Sequence, residues 1–391
     1  YFTIAESGVK IPTALGGIEL KGAFQRTGGV FLNPEANLPE SGQAILGVKV
    51  PLLQGMVIDD RRAQLRQAEV MQDLSVAQRR NILNNLLLSA IEAYWNWTVL
   101  YRQETITANA LQLARQRLEG IKRSFREGDK PAVDTLETAL QARQRVLDLE
   151  IARQSLRSAR LQLSNFLWLD GNPMELSPNV QPTDWPTEES AVPELQELLR
   201  EAQIAHPKIQ EFRFKQKQLN IEQRLAAEYL KPQLDFEYNF LGDGFNFQDE
   251  ATPENGLNNL LTQNYKLGFN FSFPLLLRKE RGKLQQVQVK QLELGNQLSE
   301  KVLEVENKVR DYYQQLERTR LQEQELLQIV EGYEQLLRAE RRKFELGESS
   351  IFLINSREQK LMEAQLKLAK LRGQRQKLRY ALEWAAGILA D

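Results

Sequence analysis

Residues 263–276 read QNYKLGFNFSFPLL. Tyr265, Leu267, Phe269, Phe271 and Phe273 alternate with Lys266, Gly268, Asn270 and Ser272, so a strand here has one aromatic face and one polar or small face. Pro274 ends it, and no proline follows. Proline removes a helical hydrogen bond and clashes with the preceding turn, so the rest of the sequence is free to form long helices. Leu, Gln, Glu, Arg, Ala and Lys dominate it, all good helix formers. Two helices are expected, at about 279–346 and 350–388, the first roughly 100 Å long at ~1.5 Å per residue. Beyond about 25 residues the pattern reads as coiled coil or helical repeat rather than a globular helix.

The same signals recur upstream. Near 233–247, Leu234, Phe236, Tyr238 and Phe240 alternate with Gln233, Asp235, Glu237 and Asn239. GIELKGAFQR at 17–26 and GQAILGVKVPLL at 42–53 also have period 2. Strands are expected at about 13–26, 42–53, 233–247 and 263–275, with polar turn-rich loops near 27–41 and 242–262. Proline-free intervals place helices at about 59–126 and 132–168, and a third at about 194–230 broken at His206–Pro207. Ala152, Leu156, Ala159, Leu163 and Phe166 step by 4, 3, 4 and 3; Leu361, Ala364, Leu368 and Leu371 step by 3, 4 and 3. These are the narrow seams of coiled coils. A Pro-rich linker covers 171–193.

Composition narrows the function. Lys+Arg (51) and Asp+Glu (52) balance to a net charge of −1, which gives no basis for nucleic-acid binding. The absence of cysteine excludes disulfides, thiolate metal sites and cysteine nucleophiles. No catalytic, cofactor or metal constellation is found: there is no HExxH, GxGxxG or P-loop motif, and the lone His206 is read as structural beside Pro207. The cluster Tyr94, Trp95 and Trp97 is read as helix packing. No run of 18 apolar residues is present, so any membrane crossing must be made by strands. Ten-residue segments alternating apolar and polar are the pattern of barrel strands, one face to lipid and one to a wet lumen.

The chain is internally duplicated. A displacement of 219 residues carries Tyr94 onto Tyr313, Leu118 onto Leu337, Phe125 onto Phe344 and Gly128 onto Gly347, so FREG at 125–128 falls on FELG at 344–347. Both are helix–turn–helix joints with glycine where a left-handed cap is wanted. The repeats are taken as 1–170 and 194–391, separated by the linker. The first is shorter at its start. A counterpart of the 194–230 helix would leave only a tail near 2–8, with the native start, and any signal peptide or lipid-bearing cysteine, lying before Tyr1.

VPLL at 50–53 and FPLL at 273–276 each close a strand and open a long helix; GDKPAVDTLE at 128–137 and GESSIFLINS at 347–356 form the turns; AEYLKP at 227–232 enters a strand. In this order and duplicated, they resemble the TolC-like outer membrane efflux proteins over nearly the whole chain. The resemblance implies a mixed α and β membrane protein without enzymatic activity. Four strands per protomer would close a 12-stranded β-barrel in a homotrimer, above a coiled-coil helical barrel extending into the periplasm. It implies a bacterial outer-membrane exit duct, set in outer-membrane lipid and working with a periplasmic adaptor and an inner-membrane pump. Adaptor docking would fall at the periplasmic turns, on Arg123, Phe125, Glu127, Gly128, Arg342, Phe344, Glu345 and Gly347. Pore constriction would fall six and nine places after each glycine. Asp134 and Glu137 keep the acidic residues some members carry there; Leu353 and Ser356 do not, and a leucine ring would constrict by dewetting. Phe344 lacks the hydroxyl of an aromatic seen at its place, and Ser349 replaces an arginine; Asp134 is left to pair with Arg123 or Arg342. Taken without the resemblance, the residues leave open a soluble coiled-coil scaffold with a small β cap.

Overall fold

The protein's structure, a computed structural model, describes residues 2–13, 15–29, 38, 42–186, 193–243 and 264–390. Most of the two expected loops, the ends of the strands expected at 233–247 and 263–275, and linker residues 187–192 lie outside these. In chain order the elements are β1 (Phe2–Pro12), β2 (Glu19–Gly29), β3 (Gln43–Pro51), α1 (Asp60–Arg126), α2 (Ala132–Ser164), β4 (Trp168–Leu169), β5 (Asn172–Pro173), α3 (Leu195–Ala205), α4 (Pro207–Glu228), β6 (Gln233–Asp243), β7 (Tyr265–Ser272), α5 (Arg278–Glu345) and α6 (Ile351–Ala386). They form two compact units, Tyr1–Val76 with Glu211–Ser299, and Ala77–Gln210 with Glu300–Asp391. Each unit takes residues from both sequence repeats.

The first unit holds an antiparallel sheet in the order β1-β2-β3-β6-β7. The duplicated hairpins join through β3 and β6, where Val48 faces Tyr238 and Leu46 faces Phe240. Register carries the alternation across β2, β3, β6 and β7, with Ile45 and Leu241 as apolar exceptions on the polar side. One face collects Leu20, Phe24, Leu46, Val48, Phe236, Tyr238, Leu267 and Phe269; the other collects Lys21, Gln25, Lys49, Glu237, Asn239, Lys266 and Asn270. On the apolar face Phe236 packs on Phe269 at 5.2 Å between ring centroids, and Tyr238 stacks on Tyr265 at 5.8 Å. Phe269 and Phe271 are nonetheless 61% and 68% exposed, so this face is not a buried core among the described residues. On the polar face Lys49 and Asp235 pair at 2.9 Å.

Two expectations fail here. Residues 2–8 belong to a strand, not to the tail of a helix, and β2 begins at Glu19 rather than near 13. Val9 and Ile11 alternating with Gly8 and Lys10 give this segment a period of 2. Gly16 and Gly17, at φ 54° and 76°, supply the turn. The sheet therefore has five strands rather than four.

The sheet is tied to its helices at one joint. Leu52 and Gln54 continue from β3 and donate to Leu234 and Pro232 carbonyls at 2.7 and 3.2 Å. Asp59 caps α1, accepting from the Arg62 backbone at 2.8 Å and from Arg62 Nε at 3.0 Å. Arg62 reaches back to the carbonyls of Gly55, Met56 and Val57. Glu228 accepts from Gly55 N at 3.1 Å, and Tyr229 donates to Asp60. Burial first, and the Asp60 carboxylate second, raise the Tyr229 phenol well above its usual range.

In the second unit the two seams find their partners. Leu156, Ala159 and Leu163 of α2 pack around Trp97 of α1, and Ala364 and Leu368 of α6 pack on Leu326 and Val330 of α5. The two hairpins meet where α6 presents Gly373 to α1: a Cβ there would lie 2.0 Å from Val99 Cγ2. The expected helix 132–168 stops at Ser164, and β4 and β5 turn through Asp170 and Gly171 at φ 50° and 80°. The linker is pinned to the bundle. Trp185 stacks on Trp95 at 5.8 Å, Thr183 bonds Tyr94 at 2.9 Å, and Asp184 pairs with Arg102 at 2.6 Å. The helix expected at 194–230 is two helices, with His206 between them. Its Nδ1 accepts from Lys208 N at 3.1 Å. Burial, with Lys308 and Lys301 nearby, lowers its pKa to about 4.

Two outcomes follow in equilibrium unfolding in detergent. Gly373→Ala overpacks the contact between the hairpins and should cost about 1–3 kcal/mol, while Trp97→Ala empties the α1–α2 seam and should cost about 3–5 kcal/mol; wild-type stability of the first would remove the close approach of the hairpins, and of the second the packing of that seam. His206 has a folded pKa below its unfolded 6.5, so its contribution is complete above pH 6.5 and is lost as pH falls toward 4. The melting temperature should drop across that window, and His206→Asn, which keeps a cap but does not titrate, should flatten the drop.

Candidate functional site

Both helical turns have the same backbone construction. Gly128 at φ 85° ends α1: Asp129 N donates to Ser124 O at 2.9 Å and Gly128 N to Phe125 O at 3.1 Å. Gly347 at φ 80° ends α5: Glu348 N donates to Lys343 O at 2.8 Å and Gly347 N to Phe344 O at 3.1 Å. These paired bonds around a left-handed residue are the Schellman motif, which only glycine adopts without steric cost. The second turn also has a side-chain cap, Ser350 Oγ accepting from Leu353 N at 3.3 Å, whereas α2 starts on Pro131 with none.

The two turns lie side by side, with Lys130 Nζ 4.7 Å from the centre of the Phe344 ring. Arg123, Phe125, Glu127, Gly128, Arg342, Glu345 and Gly347 are all exposed. Among the constriction candidates, Leu353 is exposed, while Asp134, Glu137 and Ser356 are half-buried. Asp134 does not pair with Arg123 or Arg342: its carbonyl accepts from Thr138 Oγ1 at 2.6 Å, and the charged contacts form elsewhere.

Those contacts join all four helices. Asn355 of α6, 5% exposed, accepts from Arg117 of α1 at 2.6 Å and donates to Glu137 of α2 at 3.2 Å. Glu358 of α6 pairs with Arg117 and, at 2.8 Å, with Arg341 of α5. Burial pushes the Glu358 carboxyl up, but the two guanidiniums outweigh it and hold it below the usual range. Arg145 of α2 bonds Gln359. Next to the second turn, Glu340 accepts from Ser349 Oγ at 2.6 Å and pairs with Arg357 at 3.6 Å; the Ser349 bond, then Arg357, hold its carboxyl low. Of these residues only Glu137 and Ser349 stood out in the sequence. Extending the α6 seam back from Leu361 by 3, 7 and 10 residues reaches Glu358, Ile354 and Ile351, and a carboxylate at a seam position was the available signal.

A second missed feature is an apolar stripe on α2. Val133, Leu136, Leu140, Leu147 and Ile151 recur by 3, 4, 7 and 4, and each is 55–63% exposed. The spacing is that of a coiled-coil seam. It is distinct from the seam that packs on Trp97 and has no covering side chains among the described residues.

A small one-faced sheet joined to paired helices of this length defines an outer-membrane channel fold of the TolC type. The chain belongs to the outer membrane efflux protein family, whose profile matches residues 19–167 and 198–387. Solved structures of the same fold include the CmeC outer membrane channel of Campylobacter jejuni, with a TM-score of 0.65 and 14% identity, covering 100% of this chain and 78% of that one. VceC of Vibrio cholerae gives a TM-score of 0.67 at 15% identity, covering 99% and 86%. The open state of the MtrE channel of Neisseria gonorrhoeae gives 0.65 at 15%, covering 100% and 81%. No curated protein matches the sequence.

The network predicts a specific energetic pattern. Glu358→Gln should destabilise the helical unit by on the order of 3 kcal/mol, because Arg117 is left without its charge partner. The double variant Arg117→Met, Glu358→Leu should lose less than either single variant; additive losses in the cycle would show the two groups are uncoupled. Because the folded pKa of Glu358 is depressed, its contribution is present above the unfolded value of 4.5 and is lost as pH falls below it.

Proposed function

We propose that the protein is one protomer of a homotrimeric exit duct that conducts substrate passively from the periplasm across the bacterial outer membrane. The observation that carries this reading is the sheet: an aromatic face exposed to its surroundings, a polar face opposite and, among the described residues, a lateral edge open at each end of the strand order. Lipid is the medium that accepts the first face, and water in a lumen accepts the second. Open edges cannot remain in lipid, since backbone groups there have no water to bond. A single sheet of this size does not close on itself around a lumen, whereas three copies would close with every edge paired.

The α2 stripe supports the same reading in the helical unit. A ring of three copies joins unlike surfaces, so the stripe of one copy would meet another face of the next; Leu321, Ile329 and Leu336 of α5, exposed at steps of 8 and 7, offer an apolar one, and the helices of three copies would pack as a coiled-coil wall. The exposed turns, with Arg123, Phe125, Glu127, Arg342, Phe344 and Glu345, are the proposed surface for a periplasmic adaptor working with an inner-membrane pump. Gly128 and Gly347 shape that surface. Asp134, Glu137, Leu353 and Ser356 are the proposed constriction, opened by rigid-body movement of the helix pairs. No catalytic step, cofactor or metal is required by this mechanism.

Mass and conductance test it. In detergent, light scattering should give a particle of about three times the 45.1 kDa chain, and the particle should form ion-conducting pores in a planar bilayer. A stable monomer in plain buffer, without dependence on detergent, would identify the soluble scaffold instead. Charge reversal at both Glu127 and Glu345 should weaken adaptor docking several-fold, read by pull-down with the cognate adaptor, and leave the trimer intact; unaltered docking would take these residues out of the interface.

A further inference from the structure

The fifth strand changes how three copies can join. Consecutive strands in the order β1-β2-β3-β6-β7 are antiparallel, so β1 and β7 run in the same direction. A ring of three such sheets would set β7 of each copy parallel to β1 of the next. With β1 removed, β7 meets β2, and those two run in opposite directions. The ring then has 12 strands, every pair antiparallel, which is the pattern of bacterial outer-membrane barrels. Parallel pairs are also slightly weaker per residue.

The chemistry of β1 agrees with the parity. On the apolar side its residues are Ala5, Ser7, Val9 and Ile11, opposite Arg26, Phe24, Gly22 and Leu20. β7, by contrast, presents Tyr265, Leu267, Phe269 and Phe271 on that side. On the polar side Lys10 stands directly opposite Lys21, and Lys21 pairs with Glu6 of β1 at 3.6 Å; both partners are exposed, so the charges on this face add little to the β1–β2 ladder. The two glycines of the turn between them differ in their surroundings. A Cβ on Gly16 would meet nothing within 4 Å, whereas one on Gly17 would lie 2.6 Å from Gly55 O and 3.0 Å from Pro51 Cγ. Gly17 and β2 are thus held against the β3–α1 joint, whereas β1 is held at this end by Thr13, whose N and Oγ1 donate to Ile18 O at 2.9 and 2.8 Å, bonds that are broken when β1 leaves.

Resting on the trimeric reading above, we infer that the β2 edge is the docking surface for β7 of a second copy, and that β1 is a removable guard which covers that edge in the protomer and leaves it on assembly. β1 satisfies the β2 backbone groups until the second copy arrives, which is how natural sheets protect exposed edges. Exchange of β1 for β7 replaces one ladder by another and removes the open edges of all three sheets.

The chain has no cysteine, so introduced pairs report without background. Lys10→Cys with Lys21→Cys places two thiols on opposed residues, within disulfide reach. Oxidised before assembly, this variant should remain monomeric in detergent by light scattering, and reduction should restore the trimer. In a second set, Gln25→Cys on β2 is combined in turn with Lys266→Cys, Gly268→Cys or Asn270→Cys on the same face of β7. Two strands separate these positions within one copy, roughly 14 Å at ~4.8 Å per strand, so a disulfide must link neighbouring copies, and one pairing should give linked chains on a denaturing gel. The inference is overturned if the oxidised lock trimerises as well as the reduced one. It is equally overturned if Glu6→Cys on β1, and not Gln25→Cys, links to β7, since β1 then stays between copies; in both cases the trimer itself stands. An unmodified chain that never trimerises in detergent removes the trimeric reading and this inference together.

Discussion

A backbone N–H or C=O that faces lipid without a partner costs several kcal/mol, and this constraint orders the rest of the molecule. The sheet presents aromatic residues outward and charged residues on the opposite side, so its surroundings differ on its two faces. Such a sheet is at ease in a membrane only when its lateral edges are also satisfied. Sequence duplication supplies half of that closure inside one chain, through the β3–β6 pairing that fuses the two hairpins. On the duct reading proposed above, the remainder would come from neighbouring copies, which makes fold and oligomeric state a single problem.

The helical unit meets a different demand. Helices of 67 and 68 residues have little tertiary core per residue, and many apolar side chains on them remain exposed. Each long helix is therefore paired with a shorter one through a narrow seam, and the pairs are registered at discrete points rather than by a broad core. The contact of Gly373 with Val99 is one such point, and the Arg117–Asn355–Glu137 and Arg117–Glu358–Arg341 contacts are another. Buried polar groups contribute less stability than well-packed apolar ones, but they permit only one alignment. Placed a few turns above the glycine-capped joints, they fix how the two turns sit against each other.

The strands with aromatic alternation, the long helices and the glycine joints were legible because each is a local periodicity or a local break. Strand β1 was not, since Val9 and Ile11 make a pattern too short to stand out, and alignment of the two repeats pointed to a helix there. Register, not periodicity, revealed it. The role of Trp95 was half legible: packing was expected, but its partner Trp185 lies in a Pro-rich segment without periodicity, 90 residues on in the sequence. The polar network was hidden for a related reason. Arg117 and Arg341 look like the solvated charges that surround them, and only their place on converging helices separates them from those charges.

The α2 stripe and the sheet edges make a common point about a protomer with one apolar seam satisfied and another open. Leu156, Ala159 and Leu163 are buried within the chain, whereas Leu140, Leu147 and Ile151 on the same helix, with the same kind of spacing, are exposed. The sequence treats the two sets alike because both are built to be covered. What distinguishes them is the source of the cover. A helix pair can fold while one seam faces solvent, because apolar side chains in water raise the energy without breaking hydrogen bonds. A sheet edge moved into lipid has no such tolerance. On the trimeric reading, association of the helices would therefore precede membrane insertion of the sheet, because leaving apolar area wet costs less than leaving a backbone group unbonded in lipid.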